Sequence, residues 1–452
     1  MEVRLNIPKP TVDAPYQDDL CNRSQSGFFL RKLVEAFGSG CVISLNGKWG
    51  SGKTTFLSMW ENDMIRNGYN IIHFNAWETD FMDDPLMGII AEFKDLAGKK
   101  LVDQLKTATL EFGKVVMATL PSLIMGYVDS KLGTDLKETL KAGGDEFVAN
   151  INQKLNSYIT QKETVQRFRK ELSIFAKTMS NEKPIIFVVD ELDRCNPTYA
   201  VKTLERIKHL FAVSNIVFVV AIDQRQLCNS IRGYYGSEQF DAQDYLRRFF
   251  DVQYDLPNAD PTEIIKESLR RFNFNDLFEI NAQSTIKDTH AFLCLLYTGR
   301  GLSLRELEKF LLYARIVLAS NVTNKIETVL FLVFLKLFDT DCYTKFTNYE
   351  DMSESDFIEY IEKHFSYAFF NTGSVVVIHT FYSVIAELLL SRYPPHIVED
   401  KIIDDQGNLK FKITKFDKAQ FIRSIRSVDN RFLNIQHLRD NINLATDERL
   451  YL

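Results

Sequence analysis

Four short runs of consecutive apolar residues stand out from a chain whose remaining segments place apolar residues three and four positions apart. Cys41–Asn46 (CVISLN), Asn70–Phe74 (NIIHF), Pro184–Asp190 (PIIFVVD) and Asn215–Ile222 (NIVFVVAI) lack the alternation of a half-exposed sheet. They predict strands of a parallel sheet covered on both faces. Val252–Leu256 (VQYDL), closed by Pro257, predicts a fifth strand. The first run ends in a glycine-rich turn, after which TFLSMW resumes helical spacing, so strand, loop and helix follow in order.

Asn196 before Pro197 is an N-cap followed by a proline at the first helical position, and it opens a helix with Val201, Leu204, Ile207, Leu210 and Phe211 on one face. Between the second and third strands, about residues 79–182, the spacing is helical and the composition polar apart from Val115–Val128, which marks an insertion. Beyond Pro257, Asp260-Pro261-Thr262-Glu263 and Ser303-Leu304-Arg305-Glu306 are capping-box patterns that open a mainly helical second domain. Lys401–Phe416, with Asp-Gln-Gly at its centre, predicts a hairpin. The expected architecture is α/β, with a core over 1–257 that carries the insert and a helical domain over 258–452.

With 45% hydrophobic and 25% charged residues in 452, the chain has enough apolar content for a large core and two to three domains. Its formal charge of -6 gives no global attraction to a phosphate backbone. Cys21, Cys41, Cys195, Cys228, Cys294 and Cys342 are scattered without a C-x-x-C pair, which argues against a zinc site or disulfide framework and for a reducing, cytoplasmic setting. MEVRLNIPKP has no apolar segment with a cleavage site. Val115–Val128 is short of a membrane span and contains Pro121, so it is expected to be buried or re-entrant helix, whereas Val375–Leu390 is interrupted by His379 and Glu387 and reads as a core helix; a membrane partner is not expected.

Gly47-Lys48-Trp49-Gly50-Ser51-Gly52-Lys53-Thr54 satisfies G-x-x-x-x-G-K-[ST] between a predicted strand and a predicted helix. Small residues let backbone N–H groups approach phosphates, Lys53 reaches the β and γ oxygens, and the Thr54 hydroxyl is placed to hold Mg²⁺, with Thr55 beside it. In IIFVVDELDR, Asp190 ends an apolar strand and Glu191 follows. We assign Asp190 to the magnesium shell and Glu191 to polarising the attacking water. The simpler alternative is that Glu191 and Asp193 form ion pairs with Arg194.

These pieces, with FNAWE at Phe74–Glu78, FVVDELDRCNP, VVAIDQRQL and YLRRFFDVQYDLP, span residues 18 to 257 in one order and resemble the KAP family of P-loop nucleoside triphosphatases. The resemblance implies a three-layer core with strand order 5-1-4-3-2, a helical lid, and a variable helical insert that carries membrane helices in many relatives. It is compatible with a role in prokaryotic defence against phage, a setting in which relatives of the family occur. In this topology Asn75 and Asp223, at strand ends, face the γ-phosphate region and are sensor candidates; the alternative for each is a polar strand-end cap. Trp77 reads as packing. Arg247 and Arg248 precede the fifth strand, where related ring-forming ATPases place an arginine finger acting on a neighbour's nucleotide; the alternative is solvated or locally paired arginines. Arg300 and Arg305 are candidate nucleotide sensors from the second domain.

Three functions compete. The first is an ATP-hydrolysing switch or scaffold that forms homo-oligomers and controls a partner protein. The second is a nucleic-acid-dependent motor or clamp using Arg167–Lys170, or Arg423, Arg426 and Arg431, although such clusters are more often solvated helix faces. The third is a nucleotide-binding module without hydrolysis, against which Lys53, Thr54, Asp190 and Glu191 weigh. With Asn324-Lys325-Ile326-Glu327 in place of a guanine-reading N-K-x-D, ATP is preferred over GTP by default.

Overall fold

The structure is a computed structural model that describes residues 10–93, 163–179, 182–320, 325–391, 404–410, 417–427 and 435–446, apart from 18, 83, 164, 212, 275, 277–285, 349–352, 373–374, 405 and 407. The Val115–Val128 run lies outside the described residues, as does most of Lys401–Phe416. The chain divides into two compact units: one comprises Lys9–Asp19 and Arg23–Pro257, the other mainly Asn258–Leu452.

In the N-terminal unit α1 (Ser24–Ala36) precedes β1 (Cys41–Asn46), α2 (Lys53–Arg66), β2 (Ile71–Asn75) and α3 (Leu86–Glu92). A helix over 165–179, α4, leads to β3 (Ile185–Asp190), α5 (Pro197–Arg206), β4 (Ile216–Ile222), α6 (Gln224–Tyr235), α7 (Ala242–Arg247) and β5 (Val252–Asp255). The strands form one parallel sheet in the order β2-β3-β4-β1-β5, as expected. Register brings the strand ends level: Asn75 lies opposite Asp190, and Asn46 opposite Ile222.

The unbroken apolar character of β3 and β4 follows from burial on both faces, with every residue of the two strands inside. Phe187, Val189, Phe218 and Val220 point to the side covered by α3, α4 and α5. Phe187 lies between Phe93 (5.2 Å) and Phe218 (5.0 Å) with its ring tilted to both, aromatic contacts that add to simple area burial. Ile186, Val188, Val217 and Val219 point to the opposite side, against Phe56, Leu57 and Trp60 of α2 and Leu30 and Val34 of α1. Asn196 caps α5 by accepting from Thr198 N at 3.0 Å, with Pro197 following as expected. On α4, Phe168, Leu172 and Phe175 face the core while Arg167, Arg169 and Lys170 are exposed.

The second unit is helical: α8 (Pro261–Arg271), α9 (Ile286–Arg300), α10 (Leu304–Ser320), α11 (Ile326–Phe338), α12 (Thr340–Thr347), α13 (Glu354–Thr372), α14 (Val375–Leu390), α15 (Lys418–Ser427) and α16 (Ile435–Thr446). Ser303 and Glu306 form the reciprocal capping box of α10, at 2.7 and 3.3 Å. The other predicted box is only half made. Asp260 caps α8 through Thr262 N at 2.9 Å, but Glu263 turns to Lys266, its neighbour one turn along the helix. Residues 326–335 of α11 are all buried, and all but Glu327 and Thr328 are apolar, so the helix forms the centre of the unit. Among the described residues no helix is long and apolar enough to cross a membrane. On α14, Glu387 is buried beside Lys325 at 2.7 Å and also accepts from Thr328. Burial nonetheless pushes its carboxyl above the ordinary range, with Lys325 opposing.

Candidate phosphate-binding site

The loop after β1 closes around its own lysine. Gly47 N donates to Ile222 O at 3.0 Å, extending the β1–β4 pairing by one residue, and the chain then turns through Gly50 (φ 73°) and Gly52 (φ 84°). Only glycine adopts this left-handed backbone without strain. At Gly47 the limit is space, since a Cβ would lie 3.0 Å from Ser51 Oγ and 3.2 Å from Lys53 Cγ. Ser51 Oγ is buried without a hydrogen-bond partner. Gly52 begins α2 with no side-chain cap, so the first-turn N–H groups keep their capacity to bind an anion.

Lys53 is 8% exposed. Its Nζ donates to Gly47 O at 2.6 Å and to Lys48 O at 3.4 Å, and lies 3.9 Å from Asp193 Oδ2. Burial pulls its pKa below the ordinary lysine range, while Asp193, Asp223 and Asp190 act in the opposite direction. Thr54 Oγ1 donates to Asp190 Oδ2 at 2.8 Å. This joins the hydroxyl after the lysine to the carboxylate at the end of β3, the two groups expected around a divalent cation.

The turn after β3 separates three acids by direction. Asp190 is buried, and its Oδ1 accepts Glu191 N at 2.8 Å. Glu191 takes φ 60°, and a single 3₁₀ turn, Leu192–Arg194, follows. That kink sends Leu192 and Asp193 inward and brings Arg194 back beside Glu191, with Arg194 NH1 2.7 Å from Glu191 Oε1. The Arg194 guanidinium also lies over the Trp77 ring, 5.6 Å from its centroid. The simple ion-pair alternative therefore describes Glu191 but not Asp193. Asp193, 5% exposed, accepts from Trp49 Nε1 (2.7 Å) and Asp223 N (2.6 Å). Burial pushes its carboxyl above the usual range and Lys53 opposes the shift.

Asn75 and Asp223 sit at strand ends as expected, and both serve as local caps. Asn75 accepts from Trp77 N (3.1 Å) and donates to Glu78 (2.9 Å). Asp223 caps α6 through Arg225 N and Gln226 N, and its other oxygen accepts Trp49 N at 2.9 Å, so it also supports the loop. Thr55 is exposed. Arg247 and Arg248 are exposed at the end of α7, 4.0 and 3.4 Å from Asp244. Arg300 and Arg305 belong to the helical unit, where Arg300 donates to Phe338 O at 3.0 Å and Arg305 is exposed. A cavity of about 600 Å³ adjoins the loop, lined in part by Lys48, Trp49, Asp223, Arg225, Arg232 and Gln243. Trp49 occupies an unrestricted position of the loop motif and had no signal in the sequence, whereas Asp193 stood out beside Asp190 and Glu191 in DELDR but its inward turn toward Trp49 depends on the left-handed Glu191.

The family model described as the KAP family P-loop domain matches residues 25–321. None of the curated proteins matches significantly. Among solved structures, a DNA replication initiation factor aligns with 13% identity and a TM-score of 0.32 over 98% of this chain and 99% of that one. The ORC2 protein of Aeropyrum pernix, solved as ADPNP–ADP complexes, aligns with 11% identity and a TM-score of 0.33 over 100% and 98%. Similarity this distant says nothing about activity.

Proposed function

The chain belongs to the KAP family of P-loop nucleoside triphosphatases, and from that premise we propose that it binds ATP with Mg²⁺, hydrolyses it, and uses the nucleotide state to switch its self-association and a partner protein. One observation carries the reading: the loop's hydroxyl and the strand-end carboxylate, Thr54 and Asp190, already meet at 2.8 Å below an uncapped helix start. The residues fit the ligands. Gly50 and Gly52 supply the left-handed turns that aim backbone N–H groups inward, a Cβ at Gly47 would crowd Ser51 and Lys53, and the orphaned Ser51 hydroxyl is a donor in want of an acceptor.

Thr54 and Asp190 would hold Mg²⁺, which when bound neutralises phosphate charge. Lys53 exchanges the carbonyls of Gly47 and Lys48 for phosphate oxygens, a change favoured because charge-assisted bonds to an anion are stronger than those to a neutral carbonyl. Glu191 takes the proton of the attacking water once its carboxylate leaves Arg194. The exposed arginines of α7 are offered to a neighbouring copy. A role in defence against phage has family resemblance as its support.

Lys53→Ala tests the reading. Titration calorimetry with ATP is expected to show saturable binding by the natural protein and none by the variant. Equal affinity in both would remove the loop from the function.

A further inference from the structure

Trp49 is held twice within the N-terminal unit. Its amide donates to Asp223 Oδ2 at 2.9 Å and its indole Nε1 to Asp193 Oδ2 at 2.7 Å, while Asp223 N donates to that same Asp193 oxygen at 2.6 Å. The three residues form a closed ring that ties the phosphate loop to the ends of β3 and β4. The loop motif makes no demand on this position, yet the residue present combines an apolar ring with a single N–H donor long enough to reach a buried carboxylate. Trp49 is 43% exposed, so burial of apolar area is not its main employment.

The fourth member is Lys53. Its ammonium donates to Gly47 O and Lys48 O and lies 3.9 Å from Asp193. A triphosphate in the loop would claim that ammonium. Asp193 would then lose the Lys53 cation 3.9 Å away and remain a buried negative charge beside an incoming one.

We propose that Trp49 and Asp193 are positioning residues that latch the phosphate loop in a self-closed form, and that a nucleoside triphosphate must displace the contacts Asp193 makes with Lys53 and with Trp49 to bind. Asp193 acts as an internal anion that competes with the ligand's phosphates for Lys53. Trp49 carries that competition into the shape of the loop. The inference rests on the ATP reading above and adds the element that limits affinity.

Asp193→Asn keeps an oxygen acceptor for Trp49 and Asp223 N and removes the charge. ATP binding without Mg²⁺, followed by calorimetry, is expected to tighten about tenfold, and ADP binding by less, because the competition scales with ligand charge. A purely structural role for Asp193 would not distinguish the two nucleotides. The chain has three tryptophans, and Trp60 is fully buried, so in a Trp77→Phe background a change in emission on ATP binding reports Trp49. Trp49→Phe should abolish that change and also tighten ATP binding.

Weaker binding by Asp193→Asn only when Mg²⁺ is present would make Asp193 a metal ligand and overturn the latch. So would unchanged affinity in both variants, or emission that does not respond to saturating ATP. Should Asp193→Asn fail to fold, the exposed Trp49 substitution and the emission signal decide alone. Absence of ATP binding by the natural protein is a different result, which defeats the ATP reading itself and the latch with it.

Discussion

Glu191 illustrates how one backbone angle sets the chemistry available to a side chain. With φ at 60° its carboxylate rests on Arg194, whereas Asp190, one residue earlier, stays at the strand end with Thr54. Glu191→Gln removes the proposed base but leaves the phosphate contacts, so ATP should still bind in calorimetry while single-turnover hydrolysis slows by about 10² to 10⁴. Turnover near the natural rate would reassign the base. His73, on the edge strand β2, offers a titration with a defined sign. Its Nδ1 lies 2.6 Å from Glu61, and that hydrogen bond raises its pKa above the ordinary histidine value, with burial opposing. Because the folded value is the higher, the stabilisation is complete below the unfolded value near 6.5 and is lost as pH rises through the folded one. NMR titration should place the His73 midpoint above that of a free histidine, and Glu61→Gln should bring it down.

At the scale of elements, α11 holds the middle of the helical unit's core, with residues 326–335 all buried. Phe331 is fully buried, with Phe292, Phe334 and Phe381 around it at ring separations of 5.8 to 6.4 Å. Phe331→Ala should therefore cost about 3 to 5 kcal/mol, the range for emptying an aromatic site in a close-packed core. Urea unfolding should show the loss in the helical unit's transition, and a shift under 1 kcal/mol would mean that the core refills the space. The strands were legible because burial on both faces leaves unbroken apolar runs such as Ile185–Val189, and the phosphate loop because its glycines and lysine are adjacent in sequence. What escaped depends on directions that a one-dimensional pattern does not encode. The inward turn of Asp193 follows from Glu191, a non-glycine residue with positive φ. The failed half of the α8 capping box follows from a lysine one turn away that takes Glu263 first.

For the molecule as a whole, the open question is what the exposed arginines of α7 meet. Their pairing with Asp244 is solvent-exposed and weakly held, of the kind worth about 0 to 1 kcal/mol, so they are available to another surface. Gln243 lines the cavity beside Trp49, and Arg247, four residues on, shares its helical face. If they act on a neighbour's nucleotide, hydrolysis per subunit should rise with protein concentration. Replacing both with Ala should then lower turnover by about 10³ to 10⁵ with little change in ATP affinity. A monomer in every nucleotide state by mass photometry, with concentration-independent turnover, would return them to surface charge.

The strand order also has a temporal side. β1 lies between β4 and β5, the last two strands of the sheet to be synthesised. Trp49, just past β1, and its partner Asp223, just past β4, are 174 residues apart. At about 5 to 20 residues per second, a ribosome takes roughly 9 to 35 s to cover that stretch. For that time the nascent chain carries Val42, Ile43 and Leu45 with neither neighbouring strand yet made. The phosphate loop is therefore among the first parts of the sheet to be translated, while the strands that flank β1 and the Asp223 that holds Trp49 are made last.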